Sequence, residues 1–281
     1  MKPSRFQYVR PRSISEAVVA LQRHNSKVLA GGQSLTPLLS MRLAAPEVLV
    51  DINGLTELSG IELRGPDLWI GAIARHQEVL THHLVKTHVP MIAQALAYVA
   101  HPVIRNRGTS VGSIAHADPA GELTAVAALL EARIHVSDHQ GTREILAADF
   151  FVGPLESSLQ HGELVTGVSF PVLDNTWGSS CQEVARRHGD YALAGVCALV
   201  QVLDHQMVSA KIAIFSVGGT PLVIDVMGVH GDPEQLNLKV QAQIEPDTDI
   251  HATADYRRQL VKTLVVRALT EARVHAESRR P

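Results

Sequence analysis

The sequence predicts an α+β protein of two domains, on three observations. The chain has 281 residues, and at roughly 150 residues per domain that makes about two. Apolar residues make up 46% and charged residues 19%, the balance of a folded chain rather than a disordered one. Short apolar runs bounded by turn residues alternate with segments of helical period until the pattern lapses at VLDNTWGSS, residues 172–180.

The elements follow in order. Ser13 and Glu16 have capping-box spacing, and Ile14, Ala17, Val18 and Leu21 continue at helical spacing, so a first helix starts here. Residues 27–30 form a short apolar run that enters Gly31-Gly32, and Pro37 suits the first turn of a short helix reaching about residue 43. Residues 47–52 read as a buried strand that completes a small α/β unit ending near Leu55. A second unit spans about residues 56–171. Strands are expected at 67–74, 132–136 and 163–170, and helices at 76–86, 90–100 and 121–131, with a Gly- and Asn-bearing loop before the last helix. Beyond the lapse come β-rich stretches at 182–186, 196–203 and 208–217. The chain closes on an amphipathic helix near 254–272, striped by Leu260, Leu264, Ala268 and Leu269.

Several functions are excluded at this level. Lys and Arg number 25 against 28 Asp and Glu, so the basic excess of a nucleic-acid binder is missing. Cys181 and Cys197 are too few for an iron–sulfur cluster or a four-cysteine zinc site, and they read as inert packing residues of a reducing compartment. The longest apolar stretch, residues 89–104, is interrupted by Pro90, Gln94, His101 and Pro102, so no membrane span is expected. MKPSRFQYVRP has no apolar run behind its charges, so no signal peptide is expected and the location is read as cytoplasmic. Fifteen histidines suggest metal binding, yet His135 and His139 lie on a strand running into a turn, and the neighbouring His82 and His83 point apart on a helix. No metal site is therefore expected.

Two stretches carry the chemistry. In AGGQS (Ala30, Gly31, Gly32, Gln33, Ser34) an apolar strand runs into two glycines and a helix start at Leu35. Glycine lets another group approach the backbone, and successive N–H groups in such a turn form a nest for an anion, to which Ser34 and Thr36 add hydroxyls. A tight turn without a ligand is the alternative reading, because short Gly-Gly turns are common. The second stretch is RNRGTSVGSIAHADPAGE, residues 105–122. The N–H groups around Thr109, Val111, Gly112 and Ser113 suit a phosphate. Asp118 and Glu122, read as ionised, suit the hydroxyls of a ribityl or ribose chain, since a carboxylate only accepts hydrogen bonds. Both acids also serve as caps: Asp118-Pro119 opens a helix, and Glu122 faces its dipole. Neither stretch is G-x-G-x-x-G or a Walker A loop. Two nest-forming loops on two units fit one extended ligand, and flavin adenine dinucleotide (FAD) offers a diphosphate, a polyol and two rings.

AGGQSLTPLLSMRLAAPEVLVDI (30–52), HPVIRNRGTSVGSIAHADPAGEL (101–123) and EVARRHGDYALAGV (183–196) resemble the medium, FAD-binding subunit of molybdenum-containing hydroxylases. That family includes the carbon monoxide dehydrogenase medium subunit and the flavin segment of xanthine dehydrogenase. The likeness runs through SVGGTPLVI (216–224) and the final helix. It implies a two-subdomain FAD-binding domain of the PCMH/VAO type over residues 1–175, with subdomains at about 1–55 and 56–175. It implies a C-terminal α+β domain over 178–281, with a three-stranded sheet and helices. By the same resemblance Ala30 to Ser34 and Thr109 to Ser113 grip the diphosphate, with Leu35 in the cofactor-binding set; His116, Asp118 and Glu122 contact the ribityl or adenosine side, and Tyr191 and Leu164 flank the ring. His101 and Ile104 belong to the same cofactor-binding set.

The resemblance also implies partners: a small subunit with two [2Fe–2S] clusters and a large molybdopterin subunit, assembled as a dimer of heterotrimers. Electrons then reach FAD and pass to an external acceptor. A stand-alone flavin reductase or oxidase, and an assembly module without cofactor, are the alternatives. One departure bears on the module: Val111 stands where the family has the first of two adjacent glycines. A β-branched residue disfavours positive φ, so a rearranged second loop is expected if that geometry is needed. A bulky residue at Gly32 is expected to empty the site. Tyr191 taken alone reads as a core tyrosine, and Arg257, Arg258, Lys262 and Arg267 as a wet helix face.

Overall fold

A computed structural model describes residues 2–279. The N-terminal lobe is a parallel three-stranded sheet in the order β1-β3-β2, from β1 (Gln7–Val9), β2 (Ser26–Leu29) and β3 (Val48–Asp51), with helices α1 (Ile14–Leu21) and α2 (Leu35–Met41) in the connections. Ser13 caps α1 by accepting from Glu16 N at 3.1 Å. Glu16 returns a bond to Arg12 N, one residue earlier than a full capping box places it. Central β3 is buried along its whole length: Val48, Leu49 and Val50 are its apolar run, and the buried Asp51 that ends it accepts hydrogen bonds from Tyr8 and Asn53.

The second lobe is an antiparallel sheet in the order β4-β5-β10-β6-β7, from β4 (Ile61–Arg64), β5 (Asp67–Gly71), β6 (Arg133–Ser137), β7 (Thr142–Leu146) and β10 (Leu164–Pro171); a small hairpin, β8 (Phe151–Gly153) and β9 (Glu156–Ser157), precedes β10. Between β5 and β6 the chain makes a helical excursion. It comprises α3 (His76–Thr81), α4 (His83–His88), α5 (Pro90–Leu96), α6 (Pro102–Arg105), α7 (Ser110–His116) and α8 (Glu122–Leu129), and a one-turn α9 (Ala147–Phe150) follows β7. Two expectations are corrected here. The helix expected over 76–86 breaks at His82, whose ψ of 132° is extended, and the rings of His82 and His83 stack at 4.8 Å instead of pointing apart. The stretch 105–122 is not a plain loop: it contains α7.

The third sheet has the order β11-β12-β13-β14, from β11 (Trp177–Ala185), β12 (Ala192–Leu203), β13 (Gln206–Phe215) and β14 (Leu222–Asp225). The three long strands form the expected sheet, and β14 adds a short fourth on the β13 edge. Helices α10 (Pro233–Gln241) and α11 (Ala254–Ser278) follow.

β12 is buried on both faces because successive side chains alternate. Val196, Ala198 and Val200 pack with Val261, Leu264 and Ala268 of α11. Cys197 and Leu199 join the large core shared by the first two lobes. Arg257 of α11 is 7% exposed rather than on a wet face: it donates to Ser216 O at 3.2 Å and to Leu193 O, and pairs with Asp249 at 2.7 Å.

Gly178 is where β11 meets α11. A Cβ there would lie 2.0 Å from Ala272 O and 2.2 Å from Ala276 N, both helix backbone. Gly178→Val is therefore expected to destabilise the chain by more than about 4 kcal/mol. A urea midpoint equal to that of the unmodified chain would contradict this packing. Among the described residues, no helix is long and apolar enough to cross a membrane.

Candidate functional site

The first loop leaves β2 at the C-terminal edge of the parallel sheet, the edge at which such sheets hold ligands. Gly32 adopts φ +70°, and Thr36 N bonds back to Gly32 O at 2.9 Å. Among the described residues, no acceptor answers the N–H groups of Gly31, Gly32, Gln33, Ser34 and Leu35. Five consecutive free donors are the observation that makes this bend a nest.

The second bend is pinned differently. His76 N bonds Gly108 O at 2.9 Å and Ser110 N bonds Ala74 O at 3.1 Å, which lays Thr109 antiparallel to Arg75. Beyond it, the N–H groups of Thr109, Val111 and Gly112 have no acceptor among the described residues. The Thr109 hydroxyl is also buried without a partner, in a residue 3% exposed. A buried unanswered donor is costly, and a phosphate oxygen would answer it. Val111 does not force a rearrangement. Its backbone is helical, in the first turn of α7, and its side chain is 2% exposed in the core. The position that must stay bare is Gly112, where a Cβ would lie 2.4 Å from Thr109 Oγ1.

The bends lie against each other. A Cβ on Gly31 would come within 2.6 Å of Arg107 O and of Gly108 Cα, and 2.8 Å of Thr109 N. A brace fixes this contact. The Asn53 amide donates to Ala30 O at 2.8 Å and to Asp51 Oδ1 at 2.6 Å, while its Oδ1 accepts from Arg75 at 2.7 Å. Arg75 also donates to Arg107 O, and Tyr8 donates to Asp51. Below the second bend, His76 is 5% exposed, with Nδ1 3.1 Å from Ser110 Oγ. Burial, assisted by Arg105, pushes His76 down to about 4, so it is neutral at physiological pH. Sequence reasoning missed Asn53, Arg75 and His76.

Of the remaining predicted residues, His101, Ile104, Ser113, His116, Asp118 and Glu122 lie on the helical excursion, whereas Leu164 starts β10 and Tyr191 lies in the turn before β12. His116 ends α7, and burial above all, with Lys27 contributing, holds it below the ordinary histidine range against the pull of Asp118. Asp118 turns the chain by accepting from Ala120 N at 2.9 Å. Glu122 is not the ionised group expected from sequence. Burial first, then the Glu183 carboxylate, raises it to about 8, so it is a neutral acid at pH 7 and can donate. Burial raises Glu183 to about 7, and its buried Oε2 has no partner among the described residues.

Tyr191 is 67% exposed, not a core residue. It borders a cavity of about 540 Å³ with Pro119, Ala120, Ser216, Asp249 and Arg257. Its turn is seated on the second lobe: a Cβ on Gly189 would lie 2.8 Å from His101 Cε1, and the His101 and His188 rings are 6.4 Å apart. Ile104, in α6, accepts from Gly108 N at 2.7 Å. Leu164 is 1% exposed in the core it shares with Val111 and does not line that cavity.

Glu122 gives a test of this electrostatic reading. A carboxyl raised in the folded state stabilises fully below its unfolded pKa, near 4.5, and that contribution is lost as pH rises through about 8. Glu122→Gln should therefore match the unmodified chain at pH 5 and melt higher at pH 8, by a free energy of at most a few kcal/mol. Parallel Tm profiles of the two proteins between pH 5 and 8 would refute it.

The family described as "FAD binding domain in molybdopterin dehydrogenase" matches residues 4–173. The nicotine 6-hydroxylase medium subunit of Paenarthrobacter nicotinovorans is 38% identical, over 97% of this chain and 99% of that one. A solved carbon monoxide dehydrogenase chain from Hydrogenophaga pseudoflava superposes with TM-score 0.93 at 30% identity, covering 100% of both chains. A chain of quinoline 2-oxidoreductase from Pseudomonas putida 86 superposes with TM-score 0.92 at 32% identity, over 98% of this chain and 99% of that one.

Proposed function

The chain belongs to the FAD-binding family of molybdopterin dehydrogenases, and from that premise we propose that it carries electrons within a heteromeric molybdenum hydroxylase. In this reading the chain is the flavoprotein subunit. It takes electrons from the [2Fe–2S] clusters of a small partner, receives them ultimately from a molybdopterin-bearing large partner, and passes them to an external acceptor. The assembly is a dimer of heterotrimers in the cytoplasm.

FAD would supply the exchange between one- and two-electron chemistry, and the protein would supply binding and orientation. The residues present fit that group. The free amides of Gly31 to Leu35, with those of Thr109, Val111 and Gly112 and the unpaired Thr109 hydroxyl, would hold the diphosphate. Arg75 and Arg107 stand beside them as cations. Asp118 would accept from cofactor hydroxyls, and neutral Glu122 would donate to or accept from them. His101, Ile104, Ser113 and His116 would complete the cofactor-binding set. Tyr191 would meet the ring at the cavity mouth, and Leu164 would support it from the core.

The contact between the two bends at Gly31 supports this reading best, since two sets of free donors that meet there could both reach one diphosphate. The assembly-module alternative rested on Val111, and the helical backbone there removes its ground. Purification tests the proposal. The chain alone should show an oxidised-flavin spectrum and release FAD on denaturation. Co-expression with its partners should yield iron and molybdenum in the complex, though not in this chain. A folded, colourless chain that ignores added FAD would end it.

A further inference from the structure

The chain has two cysteines, and the fold brings them together. Cys181 on β11 and Cys197 on β12 are direct partners in the antiparallel register. They are 3% and 0% exposed, and their Sγ atoms are 2.9 Å apart. Opposed residues of antiparallel strands have Cα atoms about 4.5–5.5 Å apart, inside the roughly 4.4–6.8 Å that a disulfide spans. The two sulfurs can bond without backbone movement.

The surroundings are titratable. Glu183 is two residues from Cys181 on the same strand and so on the same face. Glu122, first in α8, and Tyr98, just after α5, also lie near enough to interact with Cys181 electrostatically. The bond to Cys197, burial and these carboxylates keep the Cys181 thiol protonated well above its ordinary range. Such a thiol reacts only if a base takes its proton. Burial has moved Glu183 up to about 7, closer to a thiol than an ordinary carboxylate, and its buried Oε2 has no competing partner.

We propose that Cys181 and Cys197 are a reversible oxidation site, at which a peroxide converts the two thiols into a Cys181–Cys197 disulfide while Glu183 accepts the proton of the attacking thiol. Cys181 sulfur attacks one peroxide oxygen, an S–O bond forms and the O–O bond breaks. The leaving hydroxide takes that proton from Glu183 and departs as water, leaving a sulfenic acid on Cys181. Cys197 sulfur then attacks Cys181 sulfur, the S–S bond forms, the S–O bond breaks, and the displaced hydroxide takes the Cys197 proton and leaves as a second water. The sulfur pair loses two electrons and the peroxide gains them; a small dithiol reverses the step. The bridge would tie β11 to β12 ahead of the turn that carries Tyr191. This site does not depend on FAD being bound.

The test uses the reduced full chain, hydrogen peroxide as the probe, and alkylation under denaturing conditions. Each chain should lose the mass of two hydrogens and both alkylatable thiols. It should yield one linked peptide pair containing Cys181 and Cys197, stay monomeric on a non-reducing gel, and revert with dithiothreitol. Persistent free thiols, sulfinic acid, or bridges between chains would overturn the proposal. Cys197→Ala should accumulate a sulfenic acid at Cys181 instead of the bridge. Glu183→Gln should slow bridge formation at neutral pH by about tenfold or more, while the thiol count of the denatured, unoxidised chain stays at two. An unchanged rate would overturn the part assigned to Glu183.

Discussion

A Gly31→Val chain is expected to fold and to emerge from purification without yellow colour. The added Cβ would stand 2.6 Å from Arg107 O and Gly108 Cα, well inside contact distance, and its obstacles are backbone atoms rather than a side chain able to swing away. Neither bend can yield cheaply. The first is tied to Asn53 through Ala30 O, and the second is tied to residues 74–76 by two backbone hydrogen bonds. The bends must therefore separate, and donors that now converge would no longer reach one diphosphate. We expect FAD affinity to fall at least about 100-fold, which is about 2.7 kcal/mol. Overpacking should lower fold stability by a further roughly 1–3 kcal/mol. Titration of the apo-protein with FAD, read by quenching of flavin fluorescence, measures the first effect. A stoichiometric flavin content after gel filtration would show that the bends do not act together.

Gly32, the position that sequence singled out, is the lesser obstacle. A Cβ there meets Thr36 Oγ1 at 3.0 Å and Leu29 Cδ1 at 3.1 Å, both side-chain atoms, so a substitution is opposed mainly by the positive φ, at about 1–2 kcal/mol. The first loop was legible because its signal is local: an apolar strand, two glycines and a helix start lie within a few residues. The second was legible in composition but not in conformation. Thr109, Ser110, Val111 and Gly112 are poor helix formers, and the helix they open is held by bonds from residues 74–76 that no local pattern reveals. Glu122 shows the same limit in electrostatics. Its place at a helix start suggests a charged carboxylate, but burial keeps it neutral, helped by the Glu183 carboxyl of β11, far along the chain. Cys181 and Cys197 likewise look inert until the register of β11 and β12 sets them opposite each other.

Arg75→Ala should weaken FAD binding about 10- to 100-fold while leaving the fold nearly as stable. Its guanidinium bonds Asn53 and Arg107 O, not the nest amides, and its backbone is bridged to Thr109, so its part is positioning. One side of its guanidinium holds Asn53 Oδ1 at 2.7 Å and another holds Arg107 O. Through Asn53 it reaches Ala30 O, and so it links the start of the first bend to the chain just before the second. Removing it leaves an amide oxygen and a carbonyl without their charged donor, at about 1.5–3 kcal/mol per lost bond before water replaces it. Both acceptors are partly open to solvent, so water takes over these bonds and the net loss to folding should be only about 1 kcal/mol.

The effect on binding is larger in proportion, because a diphosphate needs both sets of amides at fixed separation, and free loops must be ordered again when it arrives. Riboflavin, which lacks the phosphates, separates this role from a general loss of structure: its affinity should be unchanged in Arg75→Ala while that of FAD falls. Arg75→Lys keeps the charge but not the fork that reaches two acceptors, so it should recover only part of the FAD affinity. Equal weakening of both flavins would mean that Arg75 supports the lobe as a whole, and full recovery by lysine would mean that its charge, not its span between the bends, is what the phosphates use.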